Sequence, residues 1–202
     1  ASTSLRHGTL GTSASRPDGV AKVQGGFAFS SDMWTDNMLW GATLRSPHPY
    51  ARIVAIDVSG AYAIDGVTTV ITAADVPGKL TYGLIVQDQP VFAAIGDTVR
   101  YSGEPIAAVA ADHPETCRRA LAAIEITYEI LPPLTDPEMS IGEQHVPIHP
   151  DGNLIREQRI VTGDVTATGP IVVEGTYIIG MQDQAFLGTE SALATPDHDG
   201  GG

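Results

Sequence analysis

Residues 106–130, IAAVAADHPETCRRALAAIEITYEI, change their hydrophobic period twice. Ile106 to Ala111 is small and apolar throughout, as a strand buried on both faces would be. Asp112 stands three residues before Glu115, the spacing of a capping box, and Pro114 falls in the first turn. Cys117, Ala120, Leu121 and Ile124 then recur at i, i+3, i+4 and i+7, which aligns them on one helix face. Ile126 to Ile130 returns to strand-like residues until Leu131-Pro132-Pro133 breaks the run. The stretch reads as strand, helix, strand.

The chain upstream uses the same grammar. Leu39 to Leu44 reads as a strand, closed by Arg45-Ser46-Pro47-His48-Pro49, whose prolines cannot donate to a ladder. Arg52 to Val58 alternates with period two, so it is expected to be a half-buried strand. Ser59 to Ile64 is a helical turn stopped by Asp65-Gly66. Val67 to Thr72 is β-branched and strand-like, and Ala73 to Val76 is a brief helical turn ended by Pro77-Gly78. Passages 53–72 and 106–130 therefore form a weak internal repeat.

The flanks are poorer in signal. Residues 1–15 are rich in Ser, Thr and Gly and are expected to be mobile. Arg16-Pro17-Asp18-Gly19 reads as a turn in which aspartate caps and glycine takes positive φ. Residues 135–169 read as a long connection with a short strand near Arg156 to Val161. Ile171 to Ile179 reads as a strong strand and Phe186 to Thr195 as a further one. A strand followed by Asp197-His198-Asp199-Gly200 looks like an interrupted hairpin, so a longer protein is expected.

Composition narrows the function classes. Of 202 residues 43% are hydrophobic, enough for a packed core. There are 11 Lys and Arg against 24 Asp and Glu, a net charge of −13, so no basic footprint for nucleic acid or an anionic membrane is present. With 22 glycines and 14 prolines, turns are frequent. One cysteine, Cys117, excludes an internal disulfide framework and a cysteine-based zinc site. The N-terminal residues lack the layout of a signal peptide, and the apolar stretch 105–111 is too short to span a bilayer. A soluble, cytoplasmic protein is expected. The phosphate loop, the dinucleotide-binding glycine motif, H-E-x-x-H and G-x-S-x-G are all missing.

Few side chains carry chemistry by themselves. His145 and His149 lie four apart, but Pro147 forbids the helix that would align them as metal ligands; solvent-exposed loop histidines are the simpler reading. Cys117 is expected to be a small buried hydrophobe, with Arg118 and Arg119 on other faces of its helix. Glu104, between Gly103 and Pro105, reads as a turn carboxylate satisfying backbone N–H groups, or else as a supporting acid beside a pocket. Phe27, Trp34 and Trp40 are expected in the core. No self-contained active site emerges.

Ordered blocks of sequence then resemble one family. Residues 16–25 (RPDGVAKVQG), 44–53 (LRSPHPYARI), 66–78 (GVTTVITAADVPG), 99–109 (VRYSGEPIAAV) and 126–136 (ITYEILPPLTD) follow in the order found in the large subunit of the molybdenum hydroxylases. These are the xanthine dehydrogenase and aldehyde oxidase family. Gly163-Asp164 and Glu174-Gly175-Thr176-Tyr177 continue the series. The chain looks most like the molybdenum subunit of bacterial xanthine dehydrogenases with separate subunits.

The resemblance implies an α+β chain with a mobile segment at 1–19, an α/β hammerhead domain at 20–135 and a connecting segment at 136–170. Residues 171–202 would hold the first strands of a truncated molybdopterin-binding domain. It implies oxidative hydroxylation of purines at a molybdenum–molybdopterin centre in the full-length protein, with [2Fe-2S] clusters and FAD on partner subunits or domains. The expected partners are FAD-binding and iron–sulfur subunits and a purine or aldehyde substrate, in an oligomer. The catalytic glutamate would lie in later sequence, so no catalytic residue is expected here and the fragment alone should be inactive. Leu84 and Ile85 fall where the family lines its substrate funnel, although ordinary packing would also explain them. Gln182, Gln184 and Glu190 fall near the family's cofactor-proximal Q-x-H-x-x-x-E. Gln184 replaces the histidine and Gly188 the glutamate, which leaves the substrate class open between purine and aldehyde. A non-catalytic hammerhead module for subunit assembly is the rival reading.

Overall fold

The computed structural model describes residues 11, 13, 15–84, 86–141, 147–149, 151–154, 156–185 and 190–196. Two compact units are present, one of residues 37–172 and one of residues 1–36 with 173–202. In the smaller unit a single turn of helix, α1 (Gly19–Val23), precedes a 3-10 turn at Ser30–Asp32.

The larger unit holds two three-stranded antiparallel sheets. Its elements are β1 (Trp40–Arg45), β2 (Ala51–Asp57), α2 (Ser59–Tyr62) and β3 (Val67–Thr72), then a short hairpin of β4 (Thr81–Tyr82) and β5 (Gln89–Pro90). After these come β6 (Thr98–Val99), β7 (Pro105–Ala111), α3 (Pro114–Ala122), β8 (Glu125–Ile130) and α4 (Pro137–Ser140).

The strand order is β1-β7-β3 in one sheet and β6-β2-β8 in the other. Exchanging β1 with β6, β2 with β7 and β3 with β8 converts one order into the other. The internal repeat expected at 53–72 and 106–130 therefore has a topological counterpart. Each passage starts in one sheet, turns through a helix and ends in the other. The hairpin β4–β5 is inserted between the two halves.

Small residues let the halves meet. Ala61, Ala107, Ala111, Cys117 and Ala120 are all buried in one cluster. At Gly60 in α2, a Cβ would lie 2.5 Å from the carbonyl oxygen of Ala123 at the end of α3. No side chain fits there, so glycine is required by the close approach of the two helices. The alternation of β2 holds as far as Ile53, which is fully buried. A bulge between Ile53 and Ala55 then shifts the register, and Ile56 takes the inward position instead of Ala55.

The free edge of β3 is closed by a side chain. The Tyr62 hydroxyl donates to the Val70 carbonyl and accepts from the Val70 N–H, both at 3.1 Å. Those groups face away from β7 and would otherwise offer a pairing edge.

Several expectations need correction. Asp112 does not cap α3. Its N–H bonds to Gly66 O at 3.0 Å, which ties it to the β3 side, and His113 is the N-cap, with Nδ1 accepting from Glu115 N–H. Pro114 follows in the first turn as expected. Asp18 makes no capping hydrogen bond, because its carboxylate pairs with Arg16 and Lys22, and Gly19 is simply helical. Trp34 is 72% exposed, Trp40 is also exposed and Phe27 is half-buried against Phe29. The alanine-rich core has no volume for an indole. Ile171 to Ile179 and Arg156 to Val161 form no strand. Residues 171–179 lie exposed with no pairing partner among the described residues, and β-branched composition without a ladder does not hold a strand. Of the strand expected at 186–195, residues 186–189 lie outside the described residues and 190–195 are not a strand.

Two substitutions probe the packing and the edge. Gly60→Ala should lower unfolding free energy by about 2 kcal/mol, as overpacking does, measured by urea denaturation. Tyr62→Phe should cost about 1 kcal/mol and raise self-association in light scattering, because both Val70 groups are released.

Candidate functional site

The hairpin β4–β5 carries Leu84, which the family resemblance sets at the substrate funnel. Leu84 is 100% exposed at its tip. Ile85 lies outside the described residues. The loop is tightly turned: a Cβ on Gly83 would collide with the Val86 carbonyl oxygen. The hairpin is anchored through Val91 N–H to Leu80 O and Ala93 N–H to Pro105 O, both at 2.9 Å.

A polar cluster sits at the foot of the hairpin's loop, where Asp88 precedes β5. Arg100, just after β6, donates through Nη2 to the Asp88 carbonyl at 3.2 Å, and its Nη1 lies 3.5 Å from Asp88 Oδ2. His149 Nδ1 lies 3.0 Å from the same Asp88 oxygen and 3.1 Å from Arg100 Nη1. Residues at positions 88, 100 and 149 thus come together from three separate segments.

Glu104 is the buried acid beneath them. It is 2% exposed, and its Oε2 accepts the Arg100 backbone N–H at 2.6 Å. The turn around it is docked on Ser46, with Ser46 N–H bonded to Glu104 O at 2.9 Å and Gly103 N–H bonded to Ser46 O at 2.8 Å. Burial raises the Glu104 pKa, and Asp97 adds to the rise; the Arg100 N–H and charge and His149 pull the other way. The turn-carboxylate reading of Glu104 therefore holds. Burial also raises the Cys117 thiol, whose Sγ lies 3.0 Å from the Trp40 carbonyl while Arg118 pairs with Glu115. That is a structural cysteine.

Two concavities are present among the described residues. An apolar cleft of about 430 Å³ is lined by Ile56, Val58, Ala73, Leu80, Ala94 and Ile95, none of which can do acid–base work. A second of about 290 Å³, beside His149, includes Asp136, Ser140 and Asn153. Asp136 is already used, accepting from Glu138 N–H at the start of α4.

The remaining candidates do not join this cluster. Gln182, Gln184 and Glu190 belong to the smaller unit, and each is exposed and outside any helix or strand. His145 lies outside the described residues, and His149 faces Asp88 and Arg100. Among the described residues, no three His, Cys, Asp or Glu side chains group as a metal site would. Sequence reading passed over Asp88 and Arg100. The one available signal was Glu104, a carboxylate heading into a buried strand, whose neighbours had to supply donors.

Comparison with known proteins decides the kinship. The family model for the aldehyde oxidase and xanthine dehydrogenase a/b hammerhead domain matches residues 24–132. The chain belongs to the aldehyde oxidase and xanthine dehydrogenase family. Its sequence is 37% identical over 189 residues to a probable xanthine dehydrogenase subunit of Bacillus subtilis, covering 92% of this chain and 25% of that protein. It is 36% identical over 194 residues to the nicotinate dehydrogenase large molybdopterin subunit of Eubacterium barkeri, covering 95% and 45%. Among solved structures, the aldehyde oxidoreductase of Desulfovibrio gigas superimposes with a TM-score of 0.61 at 29% identity, covering 67% of this chain and 16% of that one. The chain thus spans a quarter and under half, respectively, of the length of these two curated relatives. As expected from the resemblance, the α+β fold is that of the hammerhead domain of molybdenum hydroxylases. No described helix is long and apolar enough to cross a membrane.

Glu104 gives this hammerhead a testable pH signature. A carboxyl whose pKa is higher folded than unfolded favours folding when protonated, so its contribution falls as pH rises from 4.5 through the raised folded value. Glu104→Gln keeps an acceptor for Arg100 N–H and removes this ionisation. Urea unfolding from pH 4 to pH 7 should therefore show the variant gaining on the wild type as pH rises, and a constant difference would contradict the buried acid.

Proposed function

We propose that this chain is the N-terminal part of the molybdenum subunit of a xanthine dehydrogenase-like enzyme that hydroxylates purines such as hypoxanthine and xanthine. The observation that carries this reading is the 37% identity across 92% of the chain with a probable xanthine dehydrogenase subunit. In this reading, residues 20–135 are the hammerhead domain, 136–170 connect, and 171–202 begin the molybdopterin-binding domain. The enzyme works in the cytoplasm with FAD-binding and iron–sulfur partners.

The residues present fit contact with a molybdenum–pterin cofactor in a limited way. Gln182 and Gln184 are exposed side-chain amides, and amide N–H groups are suitable donors to oxo and pterin acceptors. Glu190 lies on the same stretch. When bound, such a cofactor supplies oxidative hydroxylation of an electron-poor carbon. The role of this chain's residues would be positioning: Gln182 and Gln184 would hold the cofactor through their side-chain amides, and Leu84 would present an apolar surface to the incoming ring. None of them moves a proton in the reaction, and the chain by itself is inactive. A second reading, an aldehyde-oxidising enzyme, is favoured by 31% identity over 207 residues to the aldehyde oxidoreductase of Megalodesulfovibrio gigas.

The test is kinetic. The complete subunit, assembled with its partners, should oxidise xanthine with a higher kcat/KM than aldehydes; the reverse order selects the second reading. Leu84→Ala in that enzyme should change the purine-to-aldehyde ratio of kcat/KM about tenfold, the usual scale for lost apolar contact in a specificity pocket. An unchanged ratio removes Leu84 from the substrate path. Turnover of any purine by the 202-residue chain alone would overturn its assignment as an inactive part.

A further inference from the structure

The cluster of Asp88, Arg100 and His149 ties together three segments distant in sequence. Asp88 stands at the foot of the loop that carries Leu84. Arg100 stands where β6 runs into the Glu104 turn. His149 belongs to the connection beyond α4. The Arg100 guanidinium reaches both the carbonyl and the carboxylate of Asp88, and the His149 ring closes on the same carboxylate. We propose that Arg100 is a positioning residue, which with His149 clasps Asp88 and so fixes the loop bearing Leu84 against the hammerhead core.

The His149 ring can bond either neighbour. His149 Nδ1 lies near a carboxylate oxygen and near a guanidinium nitrogen. One ring nitrogen cannot donate to the first and accept from the second at once. Arg100 hydrogen-bonds the Asp88 carbonyl and forms an ion pair with its carboxylate. With its hydrogen on Nδ1 the ring donates to Asp88; in the other tautomer Nδ1 accepts from Arg100 Nη1, and in either case the ring closes the cluster. Each partner holds the cluster from a different segment, so either one lost loosens the loop.

Arg100 has a second tie through its backbone. Its N–H is held by buried Glu104. Replacing the Arg100 side chain leaves that bond in place, so the fork can be removed without dismantling the turn.

The experiment compares Arg100→Gln, Arg100→Lys, His149→Ala and His149→Asn with wild type in the complete subunit, read by amide hydrogen exchange. Arg100→Gln and His149→Ala should speed exchange across residues 86–89 at least tenfold, while amides of β2 and β7 exchange as in wild type. Lysine should not rescue Arg100, because one ammonium cannot reproduce the planar fork. Asparagine should largely rescue His149, because its side-chain amide can donate to Asp88 or accept from Arg100 at the position of Nδ1. Unchanged exchange at 86–89 in Arg100→Gln overturns the clasp, and so does asparagine failing where alanine fails.

A kinetic arm rests on the reading of Leu84 as substrate-facing. In the assembled enzyme, Arg100→Gln should raise KM for the purine about tenfold with kcat within twofold. Faster exchange with an unaltered KM upholds the clasp and overturns the substrate-facing role of Leu84, so the two failures are separable.

Discussion

The closeness of α2 to α3 constrains everything else in the larger unit. Both helices lie where the chain leaves one sheet for the other. They can approach only because Gly60 presents no side chain to the Ala123 carbonyl and because Ala61, Ala107, Ala111, Cys117 and Ala120 fill the space around them. Larger residues would push the helices apart and with them the strands they connect. A core of alanines buries little area per residue, so its stability depends on tight packing more than on bulk. This also accounts for both tryptophans lying exposed.

Local pattern made the elements of this unit readable. The stretch 106–130 revealed β7, α3 and β8 because its period changes from continuous to helical and back, and Val67 to Thr72 was read to the residue. Where reading failed, the deciding contact was distant. Asp112 looked like a cap until Gly66, 46 residues earlier, claimed its N–H. The strand expected at 171–179 had the right composition and no partner among the described residues. The order of blocks carried the family assignment, which periodicity alone could not supply.

The candidate site was less legible for the same reason. Glu104 announced itself as a carboxylate entering a buried strand. Asp88, Arg100 and His149 gave no such sign, since no local spacing connects them and only the folded chain sets them within 3.5 Å. Their grouping is a tertiary fact about an acidic chain in which cations are scarce. Placing one arginine among carboxylates and an imidazole concentrates positive charge where a loop would otherwise be held only by its hairpin bonds.

The exchange of strands between halves has a consequence for how the chain is made. Ala51 pairs with Ile130 and Trp40 with Ala111, so partners lie about 70 to 80 residues apart, a topology of high contact order and slow closure. Neither sheet is complete in the first half of the unit. During synthesis, β1, β2 and β3 emerge with open edges and wait for β7 and β8. The nascent chain therefore passes through an interval in which its apolar strands lie with unpaired edges, the stage at which such a chain is most open to wrong pairing.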